Sequence, residues 1–574
     1  MRTPTAQHAL LTLALSTSLC VAATGTALAA GTDMSSAAPY GDCLVLLDGI
    51  DLQTATIPQL QTAMVAGTIT SRRLSEAYLG RIAAYDHGGV KINAIRTLTD
   101  DALAQADAAD AARAQGHTGP LLGIPLLLKD NIDTTDADTT AGSIALAGNR
   151  PPKDAPLVTQ LRAAGAVILG KTNLSEFANW MSVGMPNGFS SLGGQVIAPY
   201  DQGDPSGSSS GSAAGGTLAF AAGTFGTETS GSILSPSTVN SMVGIKPTVG
   251  LVSRSGIIPL AHSYDTAGPI ARDVTDAAVE LSAVDGADPS DSVYLPSGTA
   301  PTGHDYAADL RAGALRGARI GYSASDEPGD VASAAVFDAA LAQLRAAGAT
   351  LVATDTLANT SLASLTEVAG IPSEFKYGVQ DYLAHDAAPA STRTPLVSQD
   401  LTGIIAYNQE HSAQIPYGQS LLMASDATTG ATQDDPSSAA TITGNRATID
   451  NALSANTLDA YVAPDAAYAG TGAAAGYPSI TVPDGYTAGG KTPHGLQFLG
   501  TAFSEPRLIG LAYSYEQASH ARIPATVADP QITSLTCGPP GTDLPEAPLT
   551  IGLPLAALAG GTLVLRRRHR AGRV

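Results

Sequence analysis

The amino-acid sequence predicts an α/β fold. Short apolar runs of strand length alternate along the chain with longer segments whose apolar residues recur at helical spacing. The chain has 574 residues, of which 44% are hydrophobic, so it can bury a core well above the marginal size. Its 60 glycines cluster in motif-like places between the apolar segments, which is typical of a globular protein rather than of a low-complexity chain.

Helices are predicted where apolar residues fall on one face. In the first, Thr56 can act as the N-cap, and Ile57, Leu60 and Met64 recur at helical spacing. The other predicted helices are one capped by Ser71, the alanine-rich segment Ala102 to Ala114, Leu157 to Ala164, and the apolar segment Thr217 to Ala222. Two polar stretches, Asp285 to Asp305 and Ser425 to Ser438, are predicted to be surface loops.

Buried strands are predicted where the apolar run is short and continuous. One run, Leu121 to Leu128, ends at Lys129, and a second covers Ala166 to Gly170. A lysine that an apolar strand carries into the interior loses its hydration, which disfavours the ammonium and lowers the pKa. Lys129 is therefore a candidate base.

The charge balance excludes one class of partner. The chain has 51 acidic and 30 basic residues, a net charge of −21. Such a surface repels phosphate backbones, and no basic stripe offsets that repulsion, so we expect no nucleic-acid partner.

Both ends of the chain read as targeting segments. An early Arg2, an apolar stretch and a small-residue ending near Ala29 and Ala30 predict a signal peptide over residues 1–30, followed by a lead-in over 31–55. The uncharged segment 547–565 is long enough to cross a bilayer, and the arginine-rich tail 566–574 would stay cytoplasmic. A buried C-terminal helix is the alternative.

The predicted layout places a catalytic domain, residues 56–525, outside the cell. The linker 526–546 ends near Leu544-Pro545-Glu546-Ala547-Pro548, which looks like a degenerate wall-sorting pentapeptide, so sortase attachment and simple membrane anchoring both stay open. Export would also put Cys43 and Cys537 in an oxidising setting, where they could form a disulfide, and two free thiols are the alternative.

Two clusters of hydroxyl and glycine residues carry the chemistry. The first, Asp204 to Gly216, contains Ser208, and the second, Gly226 to Ile233, contains Ser232. A flexible linker would be flanked by domain boundaries, whereas the first cluster leads directly into an apolar segment. The two serines stand 24 positions apart.

These clusters resemble the signature of the amidase-signature family. Ser206 to Ser212 is similar to the family's Gly-Gly-Ser-Ser-Gly-Gly-Ser core, and Gly226 to Ser232 is similar to its Gly-Thr-Asp-x-Gly-Gly-Ser segment. Further matches span Thr56 to Arg522 and include Gly123-Ile124-Pro125 ahead of Lys129-Asp130, Gly170 to Asn179, Asp265 with Gly268-Pro269, Gly476-Tyr477-Pro478 and Gly495-Leu496-Gln497. The wording is closest to the bacterial peptide-amidase branch, which hydrolyses C-terminal peptide amides.

The resemblance implies a single large domain with a mixed β-sheet flanked by helices on both faces. It implies that Ser232 is the nucleophile, that Ser208 after a cis Gly207–Ser208 bond relays the proton, and that Lys129 is the base. Backbone amides of Thr229, Ser230, Gly231 and Ser232 would form the oxyanion hole. Neither a cofactor nor a metal is expected, and the partner would be a small-molecule or peptide amide.

Four positions depart from the family pattern without touching the triad. Glu228 stands where Asp is usual, Ser230 where Gly is frequent, Leu234 where many members carry Arg, and Ala198 where Asn commonly precedes Pro-Tyr. Specificity is expected to lie in loops such as Ser182 to Gly194 and Pro372 to Tyr417, whose composition names no substrate.

Several other interpretations stay open at this point. Gly207 to Gly211 also fits Gly-x-Ser-x-Gly with Ser209 as an α/β-hydrolase nucleophile, but that motif needs a preceding strand. His262 and His494 stand apart from potential metal or triad partners, so polar surface roles are favoured. The remaining alternatives are a non-catalytic surface binding protein and the ammonia-supplying part of a tRNA-dependent amidotransferase. The particular amide and the oligomeric state cannot be read from the sequence.

Overall fold

The computed structural model describes residues 46–286, 288–291, 301–357, 368–389 and 400–525. Its strands are β1 (Leu46–Leu47), β2 (Ile50–Asp51), β3 (Ile95–Leu98), β4 (Pro125–Lys129), β5 (Val167–Thr172), β6 (Phe189–Ser190), β7 (Gly194–Gln195), β8 (Gly223–Glu228), β9 (Val243–Lys246), β10 (Thr266–Ala271), β11 (Arg319–Tyr322), β12 (Thr350–Ala353), β13 (Ala460–Pro464), β14 (Ser479–Thr487) and β15 (Thr492–Leu499).

The α-helices lie between and around these strands. They are α1 (Ile57–Val65), α2 (Ser71–Ile82), α3 (Ala102–Ala114), α4 (Pro156–Ala163), α5 (Glu176–Asn179), α6 (Ser210–Thr217), α7 (Leu234–Val239), α8 (Val274–Val284), α9 (Val331–Ala346), α10 (Ile371–His385), α11 (Leu401–Glu410), α12 (Ser420–Asp426), α13 (Pro436–Ala455), α14 (Ala469–Ala475) and α15 (Glu505–Ser519).

One mixed sheet organises the described part of the chain. It has 11 strands in the order β12-β11-β13-β15-β14-β9-β10-β8-β4-β5-β3, and two separate two-stranded sheets, β1-β2 and β6-β7, stand beside it. β4 is parallel to both of its neighbours, β5 and β8, whereas β10 is antiparallel to β8 and to β9. The predicted α/β fold with a mixed sheet flanked by helices is confirmed.

The strands nearest to the predicted lysine are buried along their full length. Every residue of β4, β5, β8 and β10 is buried. A strand with helices packed on both of its faces has no solvated side, which is why its sequence is continuously apolar instead of alternating. The two predicted strands are confirmed as β4 and β5, and β4 ends at Lys129 as expected.

The predicted helix starts are confirmed with one correction. Thr56 caps α1 and forms a capping box with Gln59. The prediction of a cap at Ser71 is wrong by one residue, because the Thr70 side chain accepts the Arg73 amide and Ser71 is the first helical residue. The Ser71 hydroxyl donates instead to the Gly123 carbonyl at 2.8 Å.

The helical segment predicted at Thr217 to Ala222 is displaced. The helix α6 covers Ser210–Thr217, and residues 218–222 form a turn that leads into β8. Every residue of α6 is buried. Tertiary packing therefore imposes a helix on serines and glycines whose own helix propensity is low.

The described parts of the predicted loops differ in how much regular structure they contain. Residues 285–286, 288–291 and 301–305 carry no helix or strand, and the loop predicted at 425–438 is shortened to 427–435 by α12 and α13. The stretch 372–417 is not simply a loop, because α10 and α11 lie within it. Apolar residues at helical spacing bury one face of each of these two helices.

The predictions for the two chain ends fall on other residues. The predicted signal peptide, Cys43, Cys537 and the segment 547–565 lie outside the described residues. Among the residues that are described, no helix is long and apolar enough to cross a bilayer.

Candidate active site

Lys129 lies in a dry part of the sheet. It ends β4, and its side chain is 0% exposed. Burial lowers the pKa of the Lys129 ammonium to about 7, although the negative charges of Asp265 and Glu228 oppose the shift. A neutral amine is therefore available near neutral pH, as the sequence predicted.

The lysine amine meets three oxygen atoms. Lys129 Nζ lies 2.8 Å from Ser208 Oγ, 2.8 Å from Thr227 Oγ1 and 3.3 Å from the Thr227 carbonyl oxygen. The predicted contact between Lys129 and Ser208 is thus present in the structure, and it is short enough for direct proton transfer. Thr227 was not among the predicted site residues.

Ser208 lies in a bend just ahead of α6. The Gly207–Ser208 peptide bond is cis, as the family resemblance implied. Ser208 is 0% exposed, and its carbonyl accepts the Ser175 amide at 3.1 Å. A Cβ atom on residue 207 would lie 2.5 Å from Ser175 Oγ, so only glycine fits at this position.

Ser232 lies in the turn between β8 and α7. Its carbonyl accepts the Ser209 amide at 3.2 Å, which brings the two serine clusters together, and the residue is 4% exposed. Among the described residues, however, the Ser232 hydroxyl makes no hydrogen bond with Ser208. The relay from Ser208 to Ser232 stays a prediction.

The segment that carries the predicted oxyanion hole is tied down at both ends by buried carboxylates. Glu228 Oε2 accepts the amides of Ile233 at 2.7 Å and Leu234 at 3.0 Å. Thr229 Oγ1 donates to Asp265 Oδ1 at 2.5 Å. Asp265 Oδ2 in turn accepts two amides from residues 260 and 261.

The backbone between these anchors turns sharply. Gly231 has φ 86, in the left-handed region where a side chain is strained. Its amide points to the Glu228 carboxylate and lowers the pKa of that group, against the rise that burial causes. Within the described residues, the amides of Ser230 and Ser232 donate to no protein acceptor, so these two fit the predicted role best.

Ser209 has a structural task that excludes it as a nucleophile. Its hydroxyl donates to the Thr227 carbonyl at 3.1 Å and accepts the Thr227 amide at 3.2 Å. Ser209 is 0% exposed, and residues 200–209 contain no strand. The α/β-hydrolase alternative therefore lacks both a free hydroxyl and the strand that its motif requires.

The two histidines lie in polar networks of their own. His262 Nδ1 is 2.9 Å from Asp434 Oδ1, and its Nε2 is 2.9 Å from a guanidinium nitrogen of Arg254. His494 Nδ1 is 3.2 Å from Asp465 Oδ1. Neither histidine contacts a predicted catalytic residue.

Sequence reasoning missed the residues that support the lysine. Thr227 contacts Lys129 directly, and Asn131 Nδ2 donates to Thr227 Oγ1 at 3.0 Å. Both residues stand inside the motifs that were recognised. Their roles depend on β4 and β8 being neighbours, and knowledge of that pairing is the signal that would have revealed them.

Comparison with known proteins identifies the family. The Amidase family profile matches residues 73–509. The solved native peptide amidase from Stenotrophomonas maltophilia is 42% identical, has a TM-score of 0.75, and is matched over 82% of this chain and 98% of its own. An Arabidopsis thaliana relative named "Probable amidase" is 37% identical over 82% of this chain and 91% of its own length.

A third relative is a Glutamyl-tRNA(Gln) amidotransferase subunit from Cupriavidus taiwanensis. It is 35% identical and is matched over 82% of this chain and 98% of its own length. The chain therefore belongs to the amidase family, whose members hydrolyse amide C–N bonds.

Proposed function

We propose that this protein is an extracellular amidohydrolase that cleaves a carboxamide through a serine acyl-enzyme and releases ammonia or an amine. The observation that carries the proposal is the 2.8 Å contact between Lys129 Nζ and Ser208 Oγ in a fully buried site. A dry amine with a pKa of about 7 can accept a proton at neutral pH.

The reaction begins when the Ser232 oxygen attacks the amide carbon. Its proton passes to Ser208 Oγ as the Ser208 proton passes to Lys129 Nζ, so the lysine becomes an ammonium and the substrate oxygen becomes an anion. The free amides of Ser230 and Ser232 are placed to stabilise that anion, and losing one such donor typically raises the barrier by about 3 kcal/mol.

The same relay then runs in reverse. Lys129 returns a proton through Ser208 to the leaving nitrogen, the C–N bond breaks, and ammonia or an amine departs from the acyl-enzyme. A water molecule attacks the ester and loses its proton along the same route, which releases the carboxylic acid and restores Ser232.

A C-terminal peptide amide is the substrate class that we favour. The support is the 42% identity to a protein named peptide amidase, which is matched over nearly all of its length. The loop that carries the exposed Val183 also holds Asn187, whose Oδ1 would lie 3.4 Å from a Cβ atom at residue 207. This loop therefore runs beside the Ser208 segment, where a substrate side chain could contact it.

An ammonia-release screen tests the function. Peptide amides, aryl amides and small aliphatic amides are offered to the exported domain, beside its Ser232→Ala variant and a Ser454→Ala control on the exposed face of α13. We expect release from peptide amides to fall by at least about 10³-fold in Ser232→Ala and to be unchanged in Ser454→Ala. Release that survives in Ser232→Ala would refute the assigned nucleophile.

A second candidate is ammonia supply from glutamine, as the name of the amidotransferase relative suggests. Adding free glutamine to the screen separates the two candidates. Release from glutamine alone, with no turnover of peptide amides, would favour the second. A non-catalytic binding role would leave the wild-type protein silent on every substrate class.

Export and anchoring are part of the proposal and rest on the terminal sequences. N-terminal sequencing of the mature protein is expected to start near residue 30 or 31. Protease treatment of intact cells is expected to remove the catalytic domain, and a domain that stays protected until lysis would contradict the extracellular location.

A further inference from the structure

Thr227 supplies two of the three oxygen atoms around the lysine amine. Its hydroxyl and its carbonyl both lie within hydrogen-bond distance of Lys129 Nζ, and Ser208 Oγ is the third neighbour. A neutral amine has two N–H groups and one lone pair. When the two N–H groups point to Thr227, the lone pair faces Ser208, from which it has to take a proton.

The same arrangement suits the protonated lysine. An ammonium has three N–H groups, and the three oxygen atoms give each of them an acceptor. A buried ammonium that lacked one acceptor would be destabilised strongly, because no water replaces the missing contact. Thr227 therefore matches both states between which the lysine alternates.

Thr227 is itself held on several sides. The Ser209 hydroxyl bonds both to its amide and to its carbonyl, and residue 227 pairs with Ala267 in the β8–β10 ladder. Asn131 Nδ2 donates to Thr227 Oγ1 at 3.0 Å and to the Ile258 carbonyl at 3.4 Å. The second contact fixes the orientation of the Asn131 amide, since only the NH2 group can face a carbonyl.

We propose that Thr227, supported by Asn131, is a positioning residue that directs the lone pair of Lys129 at Ser208 and completes the acceptors of the lysine after proton transfer. The proposal rests on the proposed role of Lys129 as the base. Thr227 acts through the lysine and does not itself exchange a proton with the substrate.

The charged groups around Lys129 allow a pH measurement to test this role. Asp265 and Glu228 are the two carboxylates whose charges act on the lysine. Both are anchored by backbone amides, and neither hydrogen-bonds to Thr227. Removing the Thr227 hydroxyl thus changes the surroundings of Lys129 and leaves these carboxylates in place.

The experiment compares Thr227→Val, which has the same shape without the hydroxyl, with Thr227→Ser, which keeps it. For Thr227→Val we expect kcat on a peptide amide to fall about 10- to 100-fold with KM changed less than about threefold, the size expected for a hydrogen bond to a charged group. The acid limb of its pH profile should move to lower pH, because the ammonium has lost an acceptor. Thr227→Ser should restore both the rate and the limb.

Asn131→Ala gives a second test that does not depend on the folding of Thr227→Val. We expect a smaller loss of kcat, and no further loss when the two substitutions are combined, because Asn131 acts through Thr227. The proposal is overturned if Thr227→Val keeps its rate and acid limb, if Thr227→Ser fails to restore them, or if Asn131→Ala behaves as wild type.

The Ser232→Ala variant separates this proposal from the proposed function. Ammonia release that persists in Ser232→Ala would contradict the serine mechanism itself. When Ser232→Ala is inactive, each contrary result with Thr227 or Asn131 contradicts only the positioning role.

Discussion

At the scale of single residues, the chemistry depends on the dryness of Lys129. The burial of its side chain lowers its pKa to about 7, and the anions Asp265 and Glu228 limit the shift. We predict that kcat/KM falls about tenfold per pH unit below pH 7, because a protonated lysine cannot accept the serine proton. A profile that stays flat between about pH 5 and 8 in the wild-type protein would contradict this assignment.

Glu228 gives a second prediction at this scale. The family pattern usually has Asp here, but in this chain the longer side chain reaches the amides of Ile233 and Leu234. We predict that Glu228→Asp lowers kcat about tenfold or more, because the shortened carboxylate releases the turn that carries Ser232. Steady-state kinetics check the value, and an unchanged kcat would show that the neighbouring backbone adjusts.

The resemblance predicted Lys129, Ser208 and Ser232 correctly as parts of one region, although the last hydrogen bond between the serines is not tested. It did not predict the roles of Thr227, Asn131 or Ser209. A motif records residue types, whereas these roles depend on which backbone group each side chain faces. Only the pairing of β4 with β8 places the Thr227 hydroxyl over the lysine.

At the scale of elements, apolar periodicity predicted the helices α1, α3 and α4 and the strands β4 and β5 within one to four residues at each end. It failed for α6, a helix of small residues without an apolar stripe. Close packing of the sheet against Ser210–Thr217 stabilises that helix, and no local pattern reports such packing.

The two segments expected to set specificity meet in the structure. Phe189 and Tyr417 pack edge to face with ring centroids 4.8 Å apart, and Ser420 Oγ accepts the Val183 amide at 3.1 Å. The first segment also approaches the Ser208 region through Asn187. An apolar surface therefore borders the part of the chain that carries Ser208.

We predict that Phe189→Ala raises KM about tenfold for peptide amides with a bulky apolar residue, because the substrate loses that contact. Small aliphatic amides should be affected little. Tyr417→Phe keeps the aromatic pair and serves as the matched control. Equal losses on large and small amides would indicate a folding defect instead of a specificity role.

At the scale of the whole molecule, a buried arginine joins the N-terminal helices to the turn beneath the site. Arg81 Nε donates to the carbonyls of Leu218 and Ala219, each at 2.9 Å, and the residue is 0% exposed. Burial lowers the pKa of Arg81 only to about 10, so it keeps its charge at neutral pH.

We predict that Arg81→Met lowers the free energy of unfolding by about 3 kcal/mol, because two buried carbonyls lose a charged donor. Urea unfolding measures the change. Arg73→Met on the same helix is the matched control, since its ion pair with Asp48 is solvent-exposed and such pairs contribute about 0–1 kcal/mol. Similar losses in both variants would contradict the role of Arg81.

The sequence predicted the fold class but not the order of the strands. Neighbours such as β9 and β14 lie far apart in the chain, and the side chains that join them carry no distinctive pattern. The predicted export signal, anchor and disulfide concern residues outside the described part of the chain and stay predictions.

Three consecutive leucines, Leu126, Leu127 and Leu128, fill both faces of β4 and are all 0% exposed. Hydrophobicity alone therefore hardly distinguishes the native alignment of this strand from one shifted by a single residue. Such a shift would rotate Lys129 to the opposite face, away from Ser208. During evolution, an insertion or deletion just ahead of β4 would then be eliminated because it destroys catalysis, even where the protein still folds.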